Sequence, residues 1–324
     1  LIAYHAPKWL PGGHAQTIYP LLITPAARAY RRERWETPDG DFIDLDWSAP
    51  AVTAGGQPTP APLLVLFHGL EGSSQSHYSR ALMRHLSAIG WLGVVVHFRG
   101  CSGHANRLPR AYHSGDSAEI DWIVRRLKAA HPLHALYAVG VSLGGNVLLK
   151  WLGEQGAAAT GLLNAAAAVS APLDLAACGY HLGRGFNRVY SRRFLATLKR
   201  AAAAKLERFP GLFAADRLRA ATTIYAFDDL VTGPLHGFAG ADDYWRRASS
   251  KPLLAAIEVP TLVVNARNDP FMPRDVLPTP AEVSRAVTLD FPRQGGHVGF
   301  VSGHFPGTLA WLPRRLLGFF EHAI

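Results

Sequence analysis

The sequence predicts an α/β fold: a mostly parallel central sheet, an N-terminal antiparallel hairpin and a helical cap insertion. Three observations carry that prediction. Short apolar runs such as Leu63-Leu64-Val65-Leu66-Phe67 alternate with segments of helical period, as strands covered on both faces and crossed by helices do. Pro38-Asp39-Gly40 separates residues 32–37 from 42–47, a hairpin signal. Between about 172 and 258 the alternation breaks, and helical spacing continues without a strand.

Composition sets the frame. With 324 residues, 48% hydrophobic and 18% charged, the chain can bury one large core. Residues 1–324 read as a single domain, with the cap insertion at about 172–258. No run of about 18 residues is free of polar breaks, so no membrane span is expected. The opening Leu1-Ile2-Ala3-Tyr4-His5-Ala6-Pro7 is too short in apolar residues for a secretory core segment, although the sequence begins without Met and a lost targeting segment stays open. Two cysteines, Cys101 and Cys178, make no disulfide framework, and no C-x-x-C or H-E-x-x-H pattern occurs. A cytoplasmic protein with no structural metal and no cofactor is the expectation. The net charge of +9 raises the question of an anionic partner. The arginines are scattered, except at 28–34 and 184–200, and no zinc-finger, RNP or basic-zipper signature accompanies them. Nucleic acid is therefore not an expected partner.

Taken in order, residues 9–17 read as a loop leading into a short apolar piece. In the hairpin, Ile43, Leu45 and Trp47 alternate with Asp44 and Asp46, which predicts one buried face and one wet face. Residues 51–62, rich in Pro, Gly and Thr, read as a surface connection. The strand at 63–67 ends in His68-Gly69-Leu70-Glu71-Gly72-Ser73-Ser74. A helix follows on the period of Tyr78, Leu82, Leu86 and Ile89. The next strand, 92–98, runs into Arg99-Gly100-Cys101-Ser102-Gly103, and Ile120, Ile123, Val124 and Leu127 mark its helix. Ala135-Leu136-Tyr137-Ala138-Val139 forms a strand and Val147, Leu148, Leu149, Trp151 and Leu152 a helix, with Gly140-Val141-Ser142-Leu143-Gly144-Gly145 between them. An alanine-rich strand lies within 162–169.

In the inserted segment, Phe186, Val189, Tyr190, Phe194 and Leu198 share one helical face. Arg184, Arg188, Arg192 and Lys199 share another. That predicts a cap helix packed on the core with a solvated arginine face, and contact of the basic face with an anionic membrane is the lesser alternative. Strands resume at 261–264 and 286–289, and a helix over 309–320 closes the chain.

Chemistry enters at the strand–turn–helix around Ser142. A G-x-S-x-G in that context forms a sharp elbow that strains the serine backbone and aims its hydroxyl above the sheet. The plain alternative is a serine helix cap. A nucleophilic serine needs a base, and the base an orienting acid, in the order Ser, acid, His for this topology. His297, in Gly295-Gly296-His297-Val298-Gly299, follows the last strand and is the expected base. His304 is the fallback, and His322 reads as surface. Asp269, in Asn268-Asp269-Pro270-Phe271, follows the strand at 261–264 and is the expected acid, with Asp174 as the competing position. Asp228, Asp229, Asp242 and Asp243 read as solvated or capping residues. An oxyanion needs about two aimed N–H donors. They are expected from Leu143, which follows the nucleophile, and from Leu70 in the glycine-flanked loop after the first parallel strand.

Together with His14-Ala15-Gln16-Thr17 and the segment 228–249, which contains Thr232-Gly233-Pro234-Leu235-His236-Gly237-Phe238, these motifs resemble the YheT-like branch of α/β-hydrolases over nearly the whole chain. That branch includes bacterial esterases, eukaryotic abhydrolase-domain lipases and yeast medium-chain acyl-CoA:ethanol acyltransferases. The resemblance implies the α/β-hydrolase fold and a serine esterase, with Ser142, Asp269 and His297 as the triad. One departure is His97, where relatives usually carry Asn; it is expected near the site without a catalytic role. No His is followed by Asp five positions on, so the acyltransferase motif of some relatives is absent. The expected partner is a small ester or lipid with a short or medium acyl chain. Acyl transfer to an alcohol on the same triad and a non-catalytic binding protein of the same fold are the alternatives. Nothing in the sequence sets the oligomeric state.

Overall fold

Side-chain alternation decides how the sheet is covered. The computed structural model describes residues 3–27, 29–49 and 60–322, so most of the 51–62 connection and Arg28 lie outside the described residues. Its strands are β1 (Arg31–Glu36), β2 (Phe42–Ser48), β3 (Leu63–Phe67), β4 (Leu92–His97), β5 (Leu136–Val141), β6 (Ala165–Val169), β7 (Thr261–Val264) and β8 (Val287–Asp290). They form one sheet in the order β1-β2-β4-β3-β5-β6-β7-β8. The pairs from β4 through β8 are parallel, while β1–β2 and β2–β4 are antiparallel.

Leu63, Val65 and Phe67 of β3 point to one face, into a core with α3 (Ser117–Ala130) and α4 (Leu143–Gln155). Leu64 and Leu66 point to the other face, against α2 (His77–Ala88) and α11 (Trp311–Phe320). A strand between two helical layers needs no polar face, which is why these runs are continuously apolar.

The hairpin forms, but the wet face expected on β2 is corrected. β2 lies between β1 and β4, and Asp44 and Asp46 are as buried as Ile43 and Leu45. Each carboxylate meets an arginine directly across the antiparallel register. Arg34 grips Asp44 at 2.8 and 2.9 Å, and Arg32 grips Asp46 at the same two distances. Asp46 also accepts from Ser74 at 2.6 Å and from His97 Nε2 at 2.8 Å. Burial alone would raise the Asp46 pKa, but these donors hold it well below the usual carboxylate range. Carboxylates that read as a solvated face are here buried under a row of exposed arginines that pair with them.

Residues 9–17 are not all loop: α1 (Gly13–Ile18) forms there, docked against the loops that follow β7 and β8. Gly13 and Gly299 make this docking tight. A Cβ on Gly13 would stand 2.0 Å from Asn268 O, and one on Gly299 would stand 1.9 Å from Gln16 O.

Between β6 and β7 the chain is helical. It contains α5 (Leu175–Leu182), α6 (Arg188–Arg208), α7 (Ala215–Ala220), α8 (Ile224–Phe227), a π-helical turn (Asp228–Thr232), α9 (Gly233–Leu235) and α10 (Ala241–Ala248). Along α6, Leu195 and Ala202 are buried while Arg188, Arg192 and Arg193 face solvent. The first part of the expected apolar face departs from the prediction: Phe186 and Val189 are exposed.

Candidate active site

The C-terminal ends of β3, β5, β7 and β8 converge, and Leu70, Ser142, Asp269 and His297 stand on the loops that leave them, with Leu143 opening α4. Ser142 occupies the turn between β5 and α4 with φ 52° and ψ −120°. For a residue with a Cβ, that conformation costs of order 1–3 kcal/mol. The turn closes only around small neighbours. A Cβ on Gly140 would stand 2.3 Å from Gly144 O, and one on Gly144 would stand 2.3 Å from Phe67 O. The helix-cap alternative is set aside by geometry, since the Ser142 side chain makes no capping bond to α4.

Instead, Ser142 Oγ lies 3.0 Å from His297 Nε2, and His297 Nδ1 lies 2.9 Å from Asp269 Oδ2. Asp269 is buried, and its Oδ1 accepts the Phe271 N–H at 2.8 Å. The Phe271 ring stacks on the imidazole at 4.0 Å and 21°, fixing its plane. With Asp269 accepting at Nδ1, the imidazole carries its proton there and presents a bare Nε2 to the serine hydroxyl.

The competing residues are elsewhere. Asp174 caps α5 by accepting the Ala177 N–H at 3.0 Å. His304 is exposed, and His322 Nδ1 contacts Gly318 O at 2.6 Å on the surface. Asp229 and Asp243 accept backbone N–H groups around α10. Asp228 is corrected: it is neither solvated nor a cap. It lies buried in the cavity wall, accepting from Thr232 Oγ1 at 2.7 Å and Trp245 Nε1 at 2.8 Å, and burial lifts its pKa to about 6. His97 stays off the cavity lining. Its two ring nitrogens meet Asp46 and, at 3.3 Å, Cys101 O.

The loop after β3 is anchored on both sides of Leu70. The Gly69 N–H donates to Tyr78 Oη and the Glu71 N–H to Tyr112 Oη, each at 2.9 Å. His68 braces the same loop. Its Nε2 accepts the Phe98 N–H at 3.1 Å, which leaves Nδ1 to donate to Gly69 O at 2.7 Å. Burial pushes its pKa down to about 3, so this ring stays neutral. Gly69 lies where a Cβ would be 3.1 Å from the Ser142 Cβ. Leu70, Leu143, Ser142 and His297 all border one cavity of about 730 Å³.

That cavity runs from Ser142 into the helical segment, where Leu175, Leu182, Leu198, Phe227, Val231 and Leu235 give it an apolar wall. Cys101 and Cys178 also border it, but burial pushes both thiols up, away from a reactive thiolate. Among the described residues no group of three or more His, Cys, Asp or Glu side chains could hold a metal ion, and no helix is long and apolar enough to cross a membrane.

Residues that the sequence did not single out for a role hold the site from α1. Gln16 is fully buried and uses its whole hydrogen-bonding capacity. Its Nε2 donates to Leu10 O at 2.8 Å and Gln294 Oε1 at 2.9 Å, and its Oε1 accepts from Asn268 Nδ2 at 2.9 Å and the Gly295 N–H at 2.8 Å. Thr17 Oγ1 accepts the His297 N–H. One short helix thus grips both the acid loop and the base loop. The only signal was the motif His14-Ala15-Gln16-Thr17, to which residue types alone attach no job.

Residues 62–304 match the family model described as alpha/beta hydrolase fold. The chain is 42% identical over 306 residues to the Escherichia coli (strain K12) protein named "Putative esterase YheT", covering 94% of this chain and 88% of that one. It is 30% identical to Phospholipase ABHD3 of Mus musculus, covering 96% of this chain and 76% of the relative. Among solved structures, the esterase EaEST from Exiguobacterium antarcticum superposes with a TM-score of 0.55 at 16% identity, over 89% of this chain and 98% of that one, a likeness of fold.

Proposed function

The chain belongs to the YheT-like branch of the α/β-hydrolase family, and from that premise we propose that it is a serine hydrolase cleaving carboxylic esters of short to medium acyl chains. The observation that carries the proposal is the unbroken relay from Asp269 Oδ2 through His297 to Ser142 Oγ, with contacts of 2.9 and 3.0 Å, opening on an apolar cavity. The esterase and phospholipase names of its relatives support the same class.

In this reading His297 Nε2 takes the Ser142 proton as Oγ attacks the ester carbonyl. Asp269 stabilises the imidazolium that results, and the N–H groups of Leu70 and Leu143 receive the oxyanion. Collapse of the tetrahedral intermediate expels the alcohol, protonated by His297. Water, deprotonated by the same imidazole, then releases the acid and restores Ser142. No cofactor takes part. Residues 1–324 act as one catalytic unit in the cytoplasm, and the insertion at about 172–258 is the cap that encloses the acyl chain.

The test is hydrolysis of p-nitrophenyl esters from acetyl to palmitoyl, with labelling by a fluorophosphonate. Wild type should turn over and be labelled on Ser142, and Ser142→Ala should lose about 10³-fold or more in kcat. Absence of both turnover and labelling in the wild type would remove the hydrolase reading and favour a binding protein of the same fold.

A further inference from the structure

Several large apolar side chains that stand in solvent gather around α1. Ile18, Leu21 and Leu22 continue the face of α1 on which His14 lies, at spacings of three and four residues. Leu22 is 77% exposed and Phe305 is 74% exposed. Phe305 joins the same region through Trp9, which packs edge-to-face on both Phe305 and Tyr19 at 5.4 and 5.1 Å. On the other flank, His14 packs on Phe186 at 4.6 Å, so exposed Phe186 and Val189 at the start of α6 extend the patch.

The three segments that build this patch carry charge of one sign. No Asp or Glu occurs in residues 1–32, 175–206 or 291–320, the three segments that build it. Lys8, Arg184, Arg188, Arg192 and Arg193 are exposed there and make no ion pair among the described residues. Beside α1, Arg267, Arg274 and Arg293 border an open depression that reaches Gly12, with the exposed Asp275 next to Arg274.

We infer that this face docks the protein on an anionic lipid bilayer, with the aliphatic and aromatic side chains entering the acyl boundary and the arginines meeting lipid phosphates. Apolar side chains ringed by cations are what such an interface selects. A second copy of this chain is a poor occupant, because a two-fold contact would set the cationic rim against itself. A nucleic acid is poorer still, since beside the rings of Phe186 and Phe305 the patch presents Ile18, Leu21, Leu22 and Val189, which offer a base no stacking face.

The patch also connects to the site. Phe186 packs on His14, His14 stacks on Tyr190 at 5.8 Å, Tyr190 packs on Phe271 at 4.8 Å, and Phe271 stacks on His297. If the hydrolase reading holds, those four ring contacts link the docked face to the base His297; the docking itself does not depend on that reading.

The experiment is flotation of the full chain with phosphatidylcholine vesicles with and without phosphatidylglycerol, run in the Ser142→Ala background so that no turnover is needed. Binding should require phosphatidylglycerol and weaken with salt. Leu21→Asp/Leu22→Asp and Arg188→Glu/Arg192→Glu should each lower it about tenfold or more, while circular dichroism and turnover of p-nitrophenyl acetate in the Ser142 background stay unchanged. Equal binding to both vesicle types, or binding unmoved by either double variant, would overturn the inference. So would a concentration-dependent dimer that Leu21→Asp/Leu22→Asp dissolves, which would reassign the face to self-association.

Discussion

Thr17 Oγ1 accepts the backbone N–H of His297 at 2.9 Å, across 280 positions of sequence. The imidazole is therefore placed by a hydroxyl on α1 as well as by its own loop. Removing that acceptor in Thr17→Val leaves the N–H without a partner and frees the loop to drift. Misplacement of a base by about 1 Å costs up to roughly 10²-fold, so kcat should fall about 10- to 100-fold with KM little changed. Thr17→Ser, which keeps the hydroxyl, should recover most of the loss. Steady-state kinetics on a soluble ester distinguishes the two, and equal losses in both variants would point to packing instead.

Gln16 makes a stronger case for stability. Gln16→Leu keeps the volume but leaves the Gly295 N–H, Asn268 Nδ2 and Leu10 O without their partner. A buried polar group left unpaired costs about 1–3 kcal/mol, so unfolding in urea should show a loss of at least about 2 kcal/mol. Activity should fall alongside, because the same bonds set the acid and base loops.

The oxyanion loop yields a separate expectation. Tyr78 Oη accepts the Gly69 N–H, one residue before the proposed donor Leu70. Tyr78→Phe should lower kcat about tenfold while leaving KM nearly constant, the pattern for a contact made only in the transition state. A rise in KM at constant kcat would show that the tyrosine serves binding of the substrate and the transition state alike.

What could be read in advance and what could not divide along physical lines. Ser142, Asp269 and His297 each follow an apolar run in a chain of alternating strands and helices, so a local pattern and the order of elements sufficed to nominate them, and the structure brings those side chains within hydrogen-bond distance. Gln16 and Thr17 act across some 280 positions, and no local period encodes such a contact. Asp44 and Asp46 read as a wet face because alternation reports polarity, whereas burial depends on the arginines across the hairpin and on β4. Phe186 and Val189 fit a packed helical face by spacing, yet spacing cannot say whether a partner exists to cover it.

Asp228 gives a pH prediction with a definite sign. Burial lifts its folded pKa to about 6, above the ordinary carboxylate range. Stability from the protonated form is thus complete below about pH 4 and is lost as pH rises through 6. At neutral pH the charged, buried carboxylate costs the fold on the order of a few kcal/mol, because burial disfavours the ionised form. Asp228→Asn removes the charge and keeps both bonds, accepting from Trp245 and donating to the Thr232 hydroxyl. The variant should be the more stable protein at pH 7.5 and equal to wild type near pH 4. A gain independent of pH would show that the carboxylate is not the source.

The cavity sets the last expectation, the acyl-length profile. Its wall along Leu182, Leu198 and Val231 is apolar, so each methylene that enters it is removed from water and gains about 0.8 kcal/mol. That is roughly a fourfold step in kcat/KM per carbon, and the steps should stop once the chain has filled the space. Leu182 borders the cavity on α5 and belongs to none of the buried core clusters, so bulk added there takes room from the ligand before it strains the fold. Leu182→Trp should leave p-nitrophenyl acetate turnover intact and move the break in the profile to shorter acyl chains. If the break stays in place while all chain lengths slow together, the acyl group lies elsewhere, and the basic end of the cavity at Lys205 and Arg208 becomes the part that selects substrate.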